Sequence, residues 1–376
     1  MHLSIVIPTF NERENVRTIT RRIHKALEGV DEPYEIWFID DSRDDTPQVL
    51  AELAQSDPRV HYVHREGGRG LATAVVEGFR RSRGRYIVVM DADLQHPPEL
   101  LPTILSRLNE GIDIVIPSRF VPGGSDGGLN VFRKWVSWTA RTIGRLAVRR
   151  LRGISDCTGG YFGLRRDVID GVELDPIGWK ILMEVLVKGR YETVHEIPYA
   201  FVAREAGESK MSLAEQWNYL RHVARLVWSS PEDRRFYVYC MVGSLGVVVN
   251  TAVMSLLLYG LHLHATLSSV IASLVAMAHN FLWNDRVTWR AHAHPVRWRR
   301  ALQAPLFALV SASGIAVTAL FVQLFLWLHW PPLIGQWTGI VVATGWTFTA
   351  NNRWTWTPHD EEGRQLRRQR VRITHE

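Results

Sequence analysis

At 376 residues the chain has room for two domains, and its formal charge of +6 is mild. Its two cysteines, Cys157 and Cys240, stand far apart, which excludes a disulfide framework or a cysteine zinc site. The positive charge matters by its placement beside long apolar segments, and no nucleic-acid partner is expected.

The first ~200 residues alternate short apolar runs with amphipathic stretches, the pattern of an open α/β sheet. The opening MHLSIVIPTF lacks a basic stretch, and its apolar run is too short for a signal peptide. Strands are predicted at 3–7, 35–39, 60–63, 86–90 and 113–116, with helices near 13–28, 47–55, 71–82 and 98–109. Such sheets bind ligands outside the carboxyl ends of their strands. Polar clusters stand at three of those ends: Pro8-Thr9-Phe10-Asn11-Glu12, Asp40-Asp41-Ser42 and Asp91-Ala92-Asp93. The last begins the stretch DADLQHPPE. In extended backbone Asp91 and Asp93 point the same way. Two carboxylates held together are costly unless a cation lies between them, and hard oxygen ligands suit Mg2+ or Mn2+. No glycine-rich phosphate loop follows the first strand, and EGGRGLA at 66–72 reads as a turn into a helix. A bound nucleotide diphosphate therefore has to be neutralised by metal and basic side chains.

Residues 130–152 place Trp135, Trp138, Ile143 and Leu146 at helical spacing among Arg141, Arg145, Arg149 and Arg150. A basic amphipathic helix with tryptophans reads as a membrane-surface helix, against the alternative of a core-facing helix with a solvated basic face. Residues 211–228, with Trp217, Leu220, Ala224, Val227 and Trp228, are a second candidate.

Further along, 236–284 and 301–352 contain no Asp, Glu, Lys or Arg. Each is about 50 residues, enough for two spans of ~20 joined by a turn. The predicted spans are 237–260, 264–284, 304–327 and 332–351. The loop 285–300 holds five arginines and the tail from Arg353 onward holds six, while the two hairpin turns hold none. Positive residues stay on the cytoplasmic side, so both chain ends and the N-terminal domain are expected there, in a multi-pass protein of the cell membrane. The segments NDRVTW (284–289) and NNRWTW (351–356) follow the second and fourth spans and suggest two tandem hairpins. The domain division predicted is 1–229, 230–358 and a basic cytoplasmic tail at 359–376.

IPTFNERENV (7–16), IDDSRDD (39–45), MDADLQHPPE (90–99), SRF (118–120), TGGYFGLRRDVI (158–169), GWKILMEVLVKGRYE (178–192) and REAGESKMS (204–212) resemble the polyprenol-phosphate (dolichol-phosphate) mannose synthases, family 2 glycosyltransferases of the GT-A fold. The resemblance covers about residues 2–225. The four-span half resembles the GtrA-like membrane domain. The implied fold is an α/β GT-A domain followed by an all-α membrane domain of four transmembrane helices. The implied reaction is GDP-mannose plus a polyprenyl (dolichyl-type) phosphate giving polyprenyl-phosphate-mannose and GDP, with inversion.

By this resemblance Asp91, Ala92 and Asp93 form the donor- and metal-binding motif, with Gln95 a further ligand or support. Pro8, Phe10, Glu12 and Asp40 match nucleoside-binding positions. Asp45 replaces a glycine of the family's pattern, which leaves that loop's conformation open. Ser118, Arg119 and Arg133 match the acceptor-phosphate grip, where a planar guanidinium can bond two oxygens. Arg204 and Lys210 match a mobile loop over the donor diphosphate, with Gly207 and Ser209 fitting a hinge. Lys180 lies in a family motif without a defined role. No general base stands out: a phosphate acceptor is already an anion near pH 7. His96 is expected to cap or pack around Pro97 and Pro98. Alternatives are a UDP-glucose–dependent polyprenyl-phosphate glucosyltransferase, and a lipid-linked-sugar flippase or scaffold with the transferase head secondary. Homo-oligomerisation through the membrane half is a further expectation.

Overall fold

The computed structural model describes residues 2–67, 70–127, 131–201, 213–290, 303–356 and 372–375, without the side chains of 131–133, 213, 214, 265, 266 and 332. The chain divides into two compact units, Met1–Ser230 with Arg370–Glu376, and Pro231–Gln369.

In the first unit the apolar runs form β1 (Leu3–Thr9), β2 (Tyr34–Asp40), β3 (Val60–His64), β4 (Tyr86–Val89) and β5 (Ile114–Ser118). Every residue of β1 is buried, as in a parallel strand covered on both faces. Between them lie α1 (Val16–Ala26), α2 (Thr46–Ser56), α3 (Leu71–Arg81) and α4 (Leu101–Asn109). In α1, Val16, Ile19, Thr20 and Ile23 recur at helical spacing and turn inward.

Three strands were not predicted: β6 (Phe162–Arg165), β7 (Thr193–Pro198) and β8 (Arg372–His375). The sheet order is β3-β2-β1-β4-β6-β5-β7-β8. Only β6 runs antiparallel, against both β4 and β5. These strands lack the long apolar run that betrays the others: β6 is FGLR, and β7 is TVHEIP. The tail expected as plain basic sequence at 359–376 contains β8, which pairs parallel to β7 from Arg372 opposite Thr193 to His375 opposite Glu196. Four residues are too few for a period to declare itself.

Helices α5 (Val131–Ala147), α6 (Ile181–Lys188) and α7 (Leu213–Ser229) complete this unit. Trp135, Trp138 and Leu146 of α5 are exposed, as are Trp217, Leu220 and Trp228 of α7. Val227, read above as part of the outer stripe of α7, is buried with His222, Val223 and Leu226. The helix has two apolar faces, and periodicity alone merges them.

The second unit contains α8 (Pro231–Ser255), α9 (Ala265–Trp283), α10 (Gln303–Trp327) and α11 (Pro332–Ala350). Among the described residues, Pro231–Gly260 and Gln303–Trp327 are long and apolar enough to cross a membrane, with mean hydropathies of 2.0 and 2.1. The echoed motifs form matching π-helical turns, Asn284–Thr288 and Asn351–Thr355. Thr288 Oγ1 donates to Asn284 Oδ1 at 2.7 Å, and Thr355 Oγ1 to Asn351 Oδ1 at 2.8 Å. The rings of Trp289 and Trp356 stack at 4.4 Å with an interplanar angle of 2°. Trp289 Nε1 donates to Asn352 and Trp356 Nε1 to Asp285, each at 3.3 Å. Each copy therefore bonds the residue that follows the other's first Asn, a reciprocal clasp between the two hairpins.

Candidate active site

Strands β2, β1 and β4 are neighbours and parallel, so their carboxyl ends share one edge. Pro8 is buried within β1, and Phe10 just beyond it is 40 % exposed. The loops after β1 and β2 are stitched together: Asn11 N donates to Ser42 Oγ at 2.7 Å, Arg43 N to Asn11 Oδ1 at 2.9 Å, and Glu12 N to Thr46 Oγ1 at 3.1 Å. Glu12 also accepts from Asn15 Nδ2. Asp45 takes φ −77° at the start of α2, a conformation that needs no glycine.

Asp40 is fully buried, accepts from Ser42 Oγ, and lies 2.7 Å from His64 Nδ1. Asp41 is held in a two-bond fork by Arg65.

Asp91, Ala92 and Asp93 lie in the loop just past β4 rather than inside the strand. They still alternate: Ala92 is buried, while Asp91 and Asp93 are partly accessible. Gln95 N donates to Asp93 Oδ1 at 3.2 Å, closing a tight turn in which Leu94 adopts φ 64°. His96 does more than pack on prolines. Its Nδ1 accepts from Asp91 N at 3.0 Å, and its ring stacks on Tyr161 at 5.1 Å. As an acceptor, that nitrogen carries no proton, so its 3.6 Å approach to Asp91 Oδ2 is not an ion pair. A Cβ at Gly160 would stand 3.2 Å from Asp91 Oδ2 and 3.4 Å from His96 Cε1. The missing side chain keeps the space beside the Asp91 carboxylate open. Two carboxylates and an amide are the donor chemistry that a hard divalent cation takes, so Asp91, Asp93 and Gln95 are the residues that could hold one.

A second cluster lies at the end of β5. Buried Ser118 places Oγ 2.5 Å from Ser155 Oγ. Arg119 forks onto buried Asp156, with Nε to Oδ2 at 2.8 Å and Nη2 to Oδ1 at 3.1 Å. That uses two of a guanidinium's five donors. Arg141 of α5 sits 3.4 Å over the Phe120 ring and donates through Nη1 to Ser155 O at 3.0 Å; its buried Nε has no partner among the described residues. Lys180 Nζ donates to Thr158 O at 3.0 Å. Burial opposes the Arg119 charge, yet Asp156 prevails and raises its pKa. Burial, with Arg119 adding to it, lowers the pKa of both Lys180 and Arg141. Arg119, Arg141 and Lys180 thus gather about buried Asp156, and the nearby buried Glu196 is taken up by the Ser155 and Asp156 amides. Burial pushes the neighbouring Cys157 thiol up to about 12, which removes it as a nucleophile.

Aromatic side chains join the two clusters. The His96 ring lies 6.3 Å from those of Tyr199 and Phe201, and Phe201 lies 5.3 Å from the Arg119 guanidinium. Arg133 falls within α5, with its side chain outside the described residues, as are Arg204 and Lys210 altogether. Asp156 and Gly160 were not singled out from sequence; His96 was read only as capping or packing around the prolines, and Arg141 only as part of a basic helix face. The acid in SDCTGG and the glycine pair after it were the available signals.

Residues 4–172 match the model of Glycosyl transferase family 2, and residues 238–356 match that of the GtrA/DPMS transmembrane domain. A dolichol-phosphate mannosyltransferase of Pyrococcus furiosus is 38 % identical over 358 residues, covering 95 % of this chain and 99 % of that protein. A polyprenol monophosphomannose synthase of Mycolicibacterium smegmatis is 38 % identical over 218 residues, covering 55 % of this chain and 80 % of its own. Among solved structures, mannosyl-3-phosphoglycerate synthase from Rubrobacter xylanophilus aligns at 22 % identity and a TM-score of 0.48, covering 60 % of this chain and 73 % of its own. A GT-A-like sheet with acids and cations at its carboxyl edge, joined to an apolar helical domain, defines a membrane-bound glycosyltransferase. The chain belongs to the dolichol-phosphate mannosyltransferase family, and the match runs through both of its domains.

Proposed function

We propose that the protein transfers mannose from GDP-mannose to a polyprenyl phosphate, with inversion, releasing GDP. The observation that carries this reading is the meeting of two chemistries in one site. Carboxylates past β4 suit a metal-held diphosphate, and the Arg119–Arg141–Lys180 cluster suits a second phosphate. Pro8, Phe10, Glu12 and Asp40 line the nucleoside end. Asp91, Asp93 and Gln95 hold Mg2+ or Mn2+, which when bound neutralises charge growing on the leaving diphosphate. For that diphosphate the family resemblance supplies two further cations, Arg204 and Lys210. Ser118, Arg119 and Arg133 grip the acceptor, and Arg119 is pre-aimed by Asp156.

An oxygen of the lipid phosphate attacks C1 of mannose from the face opposite GDP, and the C1–O bond to GDP breaks. The attacking oxygen is already anionic, so no base has to remove a proton. His96 is accordingly committed through Nδ1 to the Asp91 backbone, where it orients the loop. The exposed tryptophans of α5 and α7 suit a lipid surface, where the acceptor is found. The arginine-rich loop and tail support a cytoplasmic catalytic unit. Since β8 belongs to the same sheet as β1, the chain between them crosses the membrane an even number of times, in keeping with four spans. Pairing of two copies through the membrane unit is part of the same reading.

The test is transfer of labelled sugar from GDP-mannose, and separately from UDP-glucose, to a short polyprenyl phosphate with Mg2+ or EDTA, using wild type and Asp93→Ala. Metal-dependent mannolipid made by wild type alone is the expected result. Transfer from UDP-glucose alone replaces the donor, and no transfer by folded protein refutes the reading.

A further inference from the structure

We propose that the C-terminal strand β8 is a positioning element of the transferase site, acting through Glu196 on the turn that aims Arg119. The proposal rests on the reading that Arg119 meets the acceptor phosphate.

Glu196 lies in β7 and is fully buried. A carboxylate deprived of water is costly unless donors replace the water it loses. Here nearly all of them come from one turn. Glu196 Oε1 accepts from Ser155 N at 3.0 Å, Ser155 Oγ at 2.7 Å and Asp156 N at 3.1 Å. Oε2 accepts from Ser155 N at 2.9 Å. The backbone so fixed carries Asp156, whose two oxygens hold the Arg119 fork, and Ser155, whose Oγ touches Ser118. Glu196 is thus a positioning residue one step behind the acceptor grip.

The last partner of Glu196 comes from β8. His375 pairs with Glu196 in the parallel register, and its Nδ1 lies 3.3 Å from Oε2. On the same strand, Thr374 Oγ1 is 2.6 Å from His195 Nδ1. Ile373 packs on the turn itself: its Cδ1 stands 3.0 Å from where a Cβ of Gly153 would be, two residues before Ser155. A strand that merely covered a sheet edge would need backbone pairing and nothing more. β8 also closes off the carboxylate and packs against the turn that the carboxylate holds. Without it β7 becomes the edge, and water reaches Glu196 and competes for the Ser155 and Asp156 amides.

The test compares the full chain with a chain lacking residues 372–376 and with His375→Ala, all in lipid nanodiscs. Two readouts are taken: amide hydrogen exchange of the 153–158 segment, with the β1–β2 region as internal reference, and separate KM values for polyprenyl phosphate and GDP-mannose. The truncation is expected to speed exchange at Ser155 and Asp156 about tenfold or more, with the reference unchanged. It is expected to raise KM for the lipid phosphate at least about fivefold, with KM for the donor unchanged. His375→Ala should move both in the same direction by less, and carries the test alone if the truncated chain does not fold. Unchanged exchange at 155–156 overturns the proposal. So does a general loss, in which the reference region exchanges faster and both KM values rise together, since that marks a strand that only supports the fold. If the full chain makes no mannolipid, the assignment of Arg119 to the acceptor falls, while the exchange measurement still decides the coupling.

Discussion

Replacing Gly160 with alanine tests whether the Asp91 carboxylate is held for a metal. The added Cβ would lie 3.2 Å from Oδ2, 3.5 Å from Oδ1 and 3.4 Å from His96 Cε1. The contact to Oδ2 is tight and that to Oδ1 ordinary, so the carboxylate has to retreat by about 0.3 Å. His96 cannot yield as easily, being stacked on Tyr161 and bonded to Asp91 N. The carboxylate side chain is 31 % exposed and can swing towards solvent. Folding stability should therefore fall by less than about 1 kcal/mol, below the usual cost of overpacking a closed core. Catalysis is less tolerant: a displacement of 1 Å at a positioned group can cost about 100-fold, so a shift of this size costs roughly 4-fold in kcat. The assay is mannolipid formation across a Mg2+ or Mn2+ titration, with thermal unfolding of the same preparations. A raised metal requirement with nearly unchanged Tm is expected. Full activity with an unchanged metal titration would refute the reasoning, as would an activity loss matched by a collapse in Tm.

Two further predictions concern stability. Burial opposes ionisation of Glu184, but His222 and Lys188 outweigh it and bring its carboxyl from the ordinary 4.5 down to about 2. A folded pKa below the unfolded one stabilises the protein above about pH 4.5, and that stabilisation, about 3 kcal/mol, is lost as pH falls from there towards 2. Acid unfolding of Glu184→Gln should lack this component; an identical pH profile for the variant and wild type would contradict it. In the membrane unit, Trp289→Ala removes a fully buried ring and should cost about 3–5 kcal/mol. Because the ring stacks on Trp356, the Trp289→Ala/Trp356→Ala double variant should lose less than the sum of the singles by about 1 kcal/mol, and strict additivity in thermal unfolding would show that the stack carries no coupling.

What was legible in the sequence was whatever one contiguous stretch could declare. β1, β2 and β4 announce themselves because a strand buried on both faces carries a nearly continuous apolar run, here interrupted only by Ser4 and Glu35 before the polar strand ends. The Asp91–Asp93 pair is visible because two acids one residue apart need an explanation. The NDRVTW and NNRWTW echo was visible and read as two tandem hairpins, whereas the Trp289–Trp356 stack between its copies was not. Supporting groups stayed hidden because distance along the chain separates them from what they support. Asp156 is 37 residues from Arg119, and Glu196 is 41 from Ser155. No spacing rule links them; only the insertion of β6 between β4 and β5 and the docking of β7 on β5 bring them together.

Of the strands that escaped prediction, β7 carries one of these supporting groups. β7 reads poorly as a strand because His195 and Glu196 interrupt its apolar pattern, and Glu196 anchors the Ser155–Asp156 turn. β6 reads poorly because it contains Gly163, where a Cβ would stand 2.4 Å from Ile104 Cγ2 in α4. A glycine there lets the helix lie close on the strand; a glutamate in β7 gives up apolar burial to hold a turn. Each local departure from strand chemistry is matched by a specific long-range contact, as expected where a sheet is built around a site rather than for stability alone. The same reasoning explains Arg119. Its residue type pointed to a phosphate, but half of its grip lies in an acid that only the folded chain supplies. An arginine already clamped on one side meets its ligand with little side-chain entropy left to lose, which is the physical advantage of keeping Asp156 buried beside it.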